Sequence, residues 1–164
     1  MDTDGFERWY AECHDRTVAG VWALCADRAL AEDCAAEAFA RALDRWPRVA
    51  QMDHPRAWVQ TVAVNLLRRS LRRRRLEQVL VRRAAPTDPP DLEVGHEVWE
   101  AVRRLPARQR LAVALRYASD LSEAEVAAAM GITRGTVAST LSDARRTLAG
   151  QLRPEIKQPE AHHG

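Results

Sequence analysis

The stretch SEAEVAAAMGITRGTVASTLSDARRTL, Ser122 to Leu148, decides the fold. Ser122 with Glu125 three residues on is a capping box, in which each side chain satisfies the other residue's amide. Val126, Ala127 and Met130 then recur at helical spacing and are expected to pack inward. Gly131 falls where the chain must turn through positive φ. Ile132 plugs the angle that follows, and Thr133 caps the next helix. Val137, Leu141, Ala144 and Leu148 give that helix its apolar stripe. A short helix, a glycine turn and a more polar second helix make a helix-turn-helix, whose second helix lies in the major groove of DNA. Gly135, Ser139, Ser142, Asp143 and Arg146 project opposite the stripe. Arg134 and Thr136 lie on the first turn, where free amides and the helix dipole favour phosphate. The candidate DNA contacts are therefore Arg134, Thr136, Ser139, Ser142 and Arg146.

Moving upstream, Ala107–Ala118 reads as one helix with Leu111, Val113, Ala114 and Leu115 inward, and Val98–Leu105 as another that ends at Pro106. Residues 84–93, AAPTDPPDLE, hold three prolines and no periodicity, which marks a domain boundary. The expected organisation is all-α: a three-helix N-terminal domain (residues 1–83), a Pro-rich flexible linker (84–95), a four-helix C-terminal helix-turn-helix domain (96–153) and a fraying tail (154–164). In the N-terminal domain the first helix is expected over about Asp4–Ala26. The second spans Ala29–Trp46 and stops at Pro47. The third starts near His54, with Pro55 in its favoured first-turn position. Along this third helix Val59, Val62, Ala63 and Leu66 form an inward stripe. Thr61, Asn65, Arg68 and Arg72 share a polar face whose hydroxyl, amide and guanidinium groups suit base edges and phosphates together.

The 164 residues carry a net charge of only +2, but the charges are segregated. Met1–Trp46 holds ten acids against five arginines, whereas Asn65–Ala85 holds eight arginines against the single acid Glu77. That split suggests two partners of opposite character. The basic block is arginine, whose planar fork binds phosphate through two hydrogen bonds at once. Chemistry of other kinds finds little footing. Cys13, Cys25 and Cys34 form no CxxC pair, so reduced, buried thiols are expected rather than disulfides or zinc. There is no Gly-rich phosphate loop. Cys13 and His14 are chain neighbours that point apart on a helix, Glu123 and Glu125 serve a helix start, and His162 and His163 lie in the tail. No catalytic residue, metal or cofactor is expected. Neither a membrane span nor an export signal is legible, which leaves a cytoplasmic chain as the expectation.

Taken together, these segments resemble the extracytoplasmic-function (ECF) sigma factors of the sigma-70 family. AEDCAAEAFARALDRW (Ala31–Trp46) is similar to that family's polymerase-binding helix, HPRAWVQTVAVNLLRRSLRRRR (His54–Arg75) to its −10 helix, and LPARQRLAVALRYASDLSEAEVAAAMGITRGTVASTLSDARRTL to its −35 domain. The resemblance implies a dissociable subunit that binds core RNA polymerase, at the β′ coiled coil and the β flap, and directs initiation at promoter DNA. It implies polymerase contacts at Asp33, Glu37, Phe39, Arg41 and Ala42. It implies −10 contacts at Asn65 and Arg69, beside the Thr61, Arg68 and Arg72 of the polar face, and capture of an unstacked base by the loop Pro47–Asp53. It further implies an anti-sigma factor as inhibitor and a monomer when free. Ala138, Thr140 and Asp143 depart from the family, which usually has cations there; their loss weakens phosphate attraction. Two other classes compete: a homodimeric helix-turn-helix regulator on a palindromic site, and a sigma-like adaptor that binds protein but not DNA.

Overall fold

The computed structural model describes residues 3–78 and 95–152, and all their regular elements are helices. Helix α1 (Thr3–Cys25) ends where Ala26 turns left-handed at φ 53°. Asp27 then caps α2 (Arg28–Asp44), accepting the Leu30 amide at 3.0 Å. The second carboxylate oxygen of Asp27 receives Arg74 at 2.8 Å, so one side chain both starts α2 and ties down the arginine block. Pro47 does not simply stop α2. That helix is already over at Asp44, and Pro47 sits in the first turn of a one-turn helix, α3 (Trp46–Val49), where its missing N–H costs nothing. The N-terminal lobe thus has a fourth, short helix inside the expected base-capturing loop. Helix α4 (Pro55–Glu77) starts at the expected proline.

In the C-terminal lobe, α5 (His96–Arg103) and α6 (Ala107–Val113) precede a π-helical turn at Ala114–Ala118. The expected continuous helix Ala107–Ala118 is therefore broken in register, with the Ser119 amide reaching back five residues to the Ala114 carbonyl at 3.0 Å. The helix-turn-helix forms as expected. Ser122 and Glu125 exchange both capping-box hydrogen bonds at the start of α7 (Glu123–Met130). Gly131 sits at φ 65°, and Thr133 caps α8 (Arg134–Gln151) by accepting the Thr136 amide at 3.1 Å.

The two lobes pack together, and their buried residues form one hydrophobic core. Trp22 of α1 is fully buried, meets Trp99 of α5 edge-on at 6.4 Å, and carries the Arg103 guanidinium 5.0 Å from its ring centre. The reason lies in α4. Its buried set is Ala57, Val59, Gln60, Ala63, Val64 and Leu67, which wraps two sides of the helix, while Val62 and Leu66 of the expected stripe are only half-buried. One side packs on α1 and α2, and the other is covered by α7. Apolar area left open by a lobe of fewer than about 80 residues is what the second lobe removes from water. Residues 84–94 of the linker and the tail at 154–164 lie outside the described residues.

Candidate polymerase and nucleic-acid interface

On α2, Asp33 and Glu37 are exposed and Arg41 half-buried; Arg41 Nε donates to Glu37 at 2.9 Å, an i,i+4 pair. Phe39 and Ala42, expected beside them, face the other way. Phe39 is only 2% exposed, with Trp9 edge-on at 5.2 Å and Tyr10 at 4.9 Å, and Ala42 is wholly buried. Their helical spacing matches the core stripe of α2, so in this conformation they shape the helix from beneath and present no surface. Across the seam, Leu66, Arg69, Ser70 and Arg73 of α4 line one open groove together with Glu37 and Arg41. The structure thereby brings residues expected to touch polymerase next to one expected to touch DNA.

Further along α4, Asn65, Arg68, Arg69 and Arg72 are all exposed, and Arg68 leans toward the Asn65 amide oxygen at 3.5 Å. Thr61 does not join them. Its hydroxyl donates to the Ala57 carbonyl at 2.8 Å and lies 3.4 Å from the Ala129 carbonyl of α7, so it is half-buried beside the C-terminal lobe. Arg74 is also withdrawn from the block. Burial would raise the Asp27 carboxyl, but the hydrogen bonds from Arg74 and the Leu30 amide, with the Arg74 charge, outweigh it and hold that carboxyl below its ordinary value.

On α8, Arg134, Ser139, Ser142 and Arg146 are exposed, while Thr136 is half-buried and shares a 2.8 Å hydroxyl contact with Thr133. Ser139 is turned onto the Thr136 carbonyl at 3.0 Å. Asp143 stands 3.4 Å from Arg146, which offsets part of the charge that phosphate would meet. Thr140 is buried, so a cation there would start from the core side of the helix.

Sequence reasoning missed two groups. Tyr117, on the π turn, is half-exposed and its hydroxyl accepts both Nε and Nη2 of Arg145, at 3.0 and 2.8 Å. Arg56 is the other: its Nη2 donates to the Ser119 and Asp120 carbonyls at 3.0 and 2.9 Å, and Nη1 lies 3.7 Å from Glu125. One signal could have exposed it, since a cation in the first turn of a helix opposes the helix dipole and needs partners elsewhere. Cys13 and Cys34 are buried; burial pushes the Cys25 and Cys34 thiols up to about 11. Among the described residues no cluster of three His, Cys, Asp or Glu side chains could hold a metal, and no helix is long and apolar enough to cross a membrane.

Comparison with known proteins decides what these surfaces belong to. Residues 9–77 match Sigma-70 region 2, and residues 95–148 match Sigma-70, region 4. The RNA polymerase sigma-E factor of Streptomyces coelicolor is 30% identical over 155 residues, covering 92% of this chain and 85% of the relative. The chain belongs to the sigma-70 family, in its ECF group. An RNA polymerase sigma-E factor of Streptomyces antibioticus is 33% identical over 138 residues, covering 82% of this chain and 74% of the relative. The ECF RNA polymerase sigma factor SigL of Mycobacterium tuberculosis is 31% identical over 148 residues, covering 82% and 84%. The fold is that of the sigma factor RpoE in its co-crystal structure with the anti-sigma factor NepR from Bartonella quintana: TM-score 0.75, 22% identity, 94% of this chain and 99% of that one. This sigma factor accordingly binds core RNA polymerase and promoter DNA and serves transcription initiation.

Proposed function

We propose that this sigma factor grips core polymerase with the outer face of α2, through Asp33, Glu37 and Arg41, and reads the −10 element with Asn65, Arg68, Arg69 and Arg72 of α4. The supporting observation is the shared groove in which Glu37 and Arg41 adjoin Arg69 and Arg73. Polymerase bound on one wall would leave DNA held by the other. The −35 element is read by α8, with Arg134 and Thr136 at the amide-rich start of the helix and Ser139, Ser142 and Arg146 along its outer face. Thr61 enters the −10 set only when α7 moves off it. Phe39 and Ala42 act from the core by fixing the shape of α2. Residues 1–83 and 96–153 form the two functional domains, joined by residues 84–95 and followed by a tail at 154–164.

The chain carries no catalysis of its own; bond formation belongs to polymerase, and the site of action is the cytoplasm. An anti-sigma protein is the proposed inhibitor, a partner class that the family resemblance implies and that accompanies the RpoE whose fold this chain shares. Promoter-specific transcription with purified core enzyme tests the assignments. Asn65→Ala should reduce initiation in a way that substitutions in the −10 element reproduce, and Arg146→Ala in a way that −35 substitutions reproduce, by about 1–3 kcal/mol each where a base edge is read. If both variants initiate at the parental level, the assignments fail.

A further inference from the structure

Helix α8 carries three cations, Arg134, Arg145 and Arg146. Arg134 sits in the first turn, and Arg146 lies 3.4 Å from Asp143, which offsets part of its charge. Arg145 is exposed and, among the described residues, meets no carboxylate. Its partner is neutral: Nε and Nη2 both donate to the Tyr117 hydroxyl, at 3.0 and 2.8 Å. The arginines that tie elements together elsewhere do so through carboxylates, as Arg74 does with Asp27 and Arg56 with Glu125. A phenol acceptor instead leaves the guanidinium its full charge, and leaves both hydrogens of Nη1 free to donate.

Tyr117 is itself held. It stands on the π turn and points out, half-exposed, while Ala114, Leu115 and Ala118 stay buried. The Arg116 guanidinium lies 5.6 Å from its ring centre, within reach of the electron-rich face, and Arg116 Nη1 donates to the Leu121 carbonyl at 3.3 Å. Support therefore runs from Leu121 through Arg116 and Tyr117 to Arg145, and ends on a fixed cation with free donors. Its position on α8 says what that cation meets. Arg145 shares one flank of the helix with Arg134 and Ala138, about a quarter-turn from the outer line of Ser139, Ser142 and Arg146. A helix with its side chains is about 10–12 Å across and the major groove about 12 Å wide, so an outer face on base edges brings the flanks against the phosphate walls. A phosphate contact needs charge and a reachable donor, and a side chain already fixed loses less entropy on binding.

We propose that Tyr117 is a positioning residue for promoter binding: it holds Arg145 against one backbone phosphate beside the −35 element, an anchor separate from the residues that read bases. The proposal rests on α8 being the −35 helix, as given above. The test measures the affinity of holoenzyme, core polymerase with the full-length chain, for a promoter fragment across a salt series. One phosphate contact contributes about 0.9 to the slope of log affinity against log salt. Arg145→Ala should flatten that slope by about 0.9, so that its deficit shrinks about 3.5-fold from about 50 to about 200 mM salt. The deficit should be the same on fragments carrying different −35 sequences. Arg145→Lys keeps the charge and should keep the slope. Tyr117→Phe keeps the ring and frees Arg145; it should weaken binding about threefold to tenfold, the cost of immobilising one long side chain. In the Arg145→Ala background Tyr117→Phe should change nothing further. Affinity for core polymerase should stay parental in every variant. A lower urea midpoint with an unchanged salt slope would reduce the pair to a tie between helices and overturn the proposal. So would a loss that appears in core-polymerase affinity instead, or a Tyr117→Phe effect that adds fully to Arg145→Ala. Failure of the α8 assignment itself shows separately, as parental holoenzyme whose binding ignores a scrambled −35 sequence.

Discussion

Asp27 makes two contacts whose energies can be separated. Its Oδ1 caps α2 at the Leu30 amide, and its Oδ2 receives Arg74 from the far end of α4. Asp27→Asn keeps a capping oxygen and loses the charge; Asp27→Ala loses both. The cap is worth about 1 kcal/mol. The ion pair spans side chains that are 45% and 27% exposed, so solvent screening limits it to about 0.5–1 kcal/mol. Asp27→Ala should therefore cost about 1.5–2 kcal/mol, and Asp27→Asn about half of that. In urea unfolding at pH 7 this appears as a lower midpoint with unchanged slope, and thermally as a fall of about 3–8 °C for Asp27→Ala. The sign of the pH dependence follows from the depressed carboxyl. Its stabilisation is complete above the unfolded-state value near 4 and is lost as pH falls through the lower folded-state value. The parent's advantage over Asp27→Asn should thus shrink as acid is added. Arg74→Ala in the Asp27→Asn background should add almost nothing. Equal stabilities for Asp27→Asn and Asp27→Ala would refute the cap, and full additivity with Arg74→Ala would refute the pair.

Three further expectations follow from the same geometry. Phe39→Ala, in the aromatic cluster of Trp9 and Tyr10, should cost about 3–5 kcal/mol in denaturant, whereas Glu37→Arg, which loses only the exposed pair with Arg41, should cost less than about 1 kcal/mol and weaken co-purification with core polymerase. Gly131→Ala should cost about 1–2 kcal/mol from backbone strain alone at φ 65°, because an added Cβ meets no atom within 4 Å; denaturation midpoints read it directly. With the Cys25 and Cys34 thiols up at about 11, alkylation of the folded chain at pH 7 should be slow, rising toward pH 11 or on unfolding; mass spectrometry follows each site.

The helix-turn-helix was readable because its signals are local. A capping box, a left-handed glycine and a threonine cap each act within four residues, and each appears where its residues stand. The arginine block was readable for the same reason, since charge needs no tertiary partner to be seen. What escaped is tertiary. Helix α4 has two buried sides because a second lobe lies on it, and a one-sided stripe could not reveal that Thr61 is half-buried against Ala129. Phe39 and Ala42 carry a family role by position, yet their burial is settled by how α1 crosses α2. The π turn at Ala114–Ala118 adds a residue to a helix of ordinary composition, and Arg56 finds its partners more than sixty positions away.

The central claim is that this chain supplies promoter choice to polymerase through two nucleic-acid surfaces. The most direct measurement is transcription from a library of promoter fragments by purified core polymerase, with and without the full-length chain. The account predicts transcripts that depend on the chain, start at one position relative to paired −10 and −35 sequences, and disappear when either sequence is scrambled. Core enzyme that initiates identically with and without the chain would contradict it.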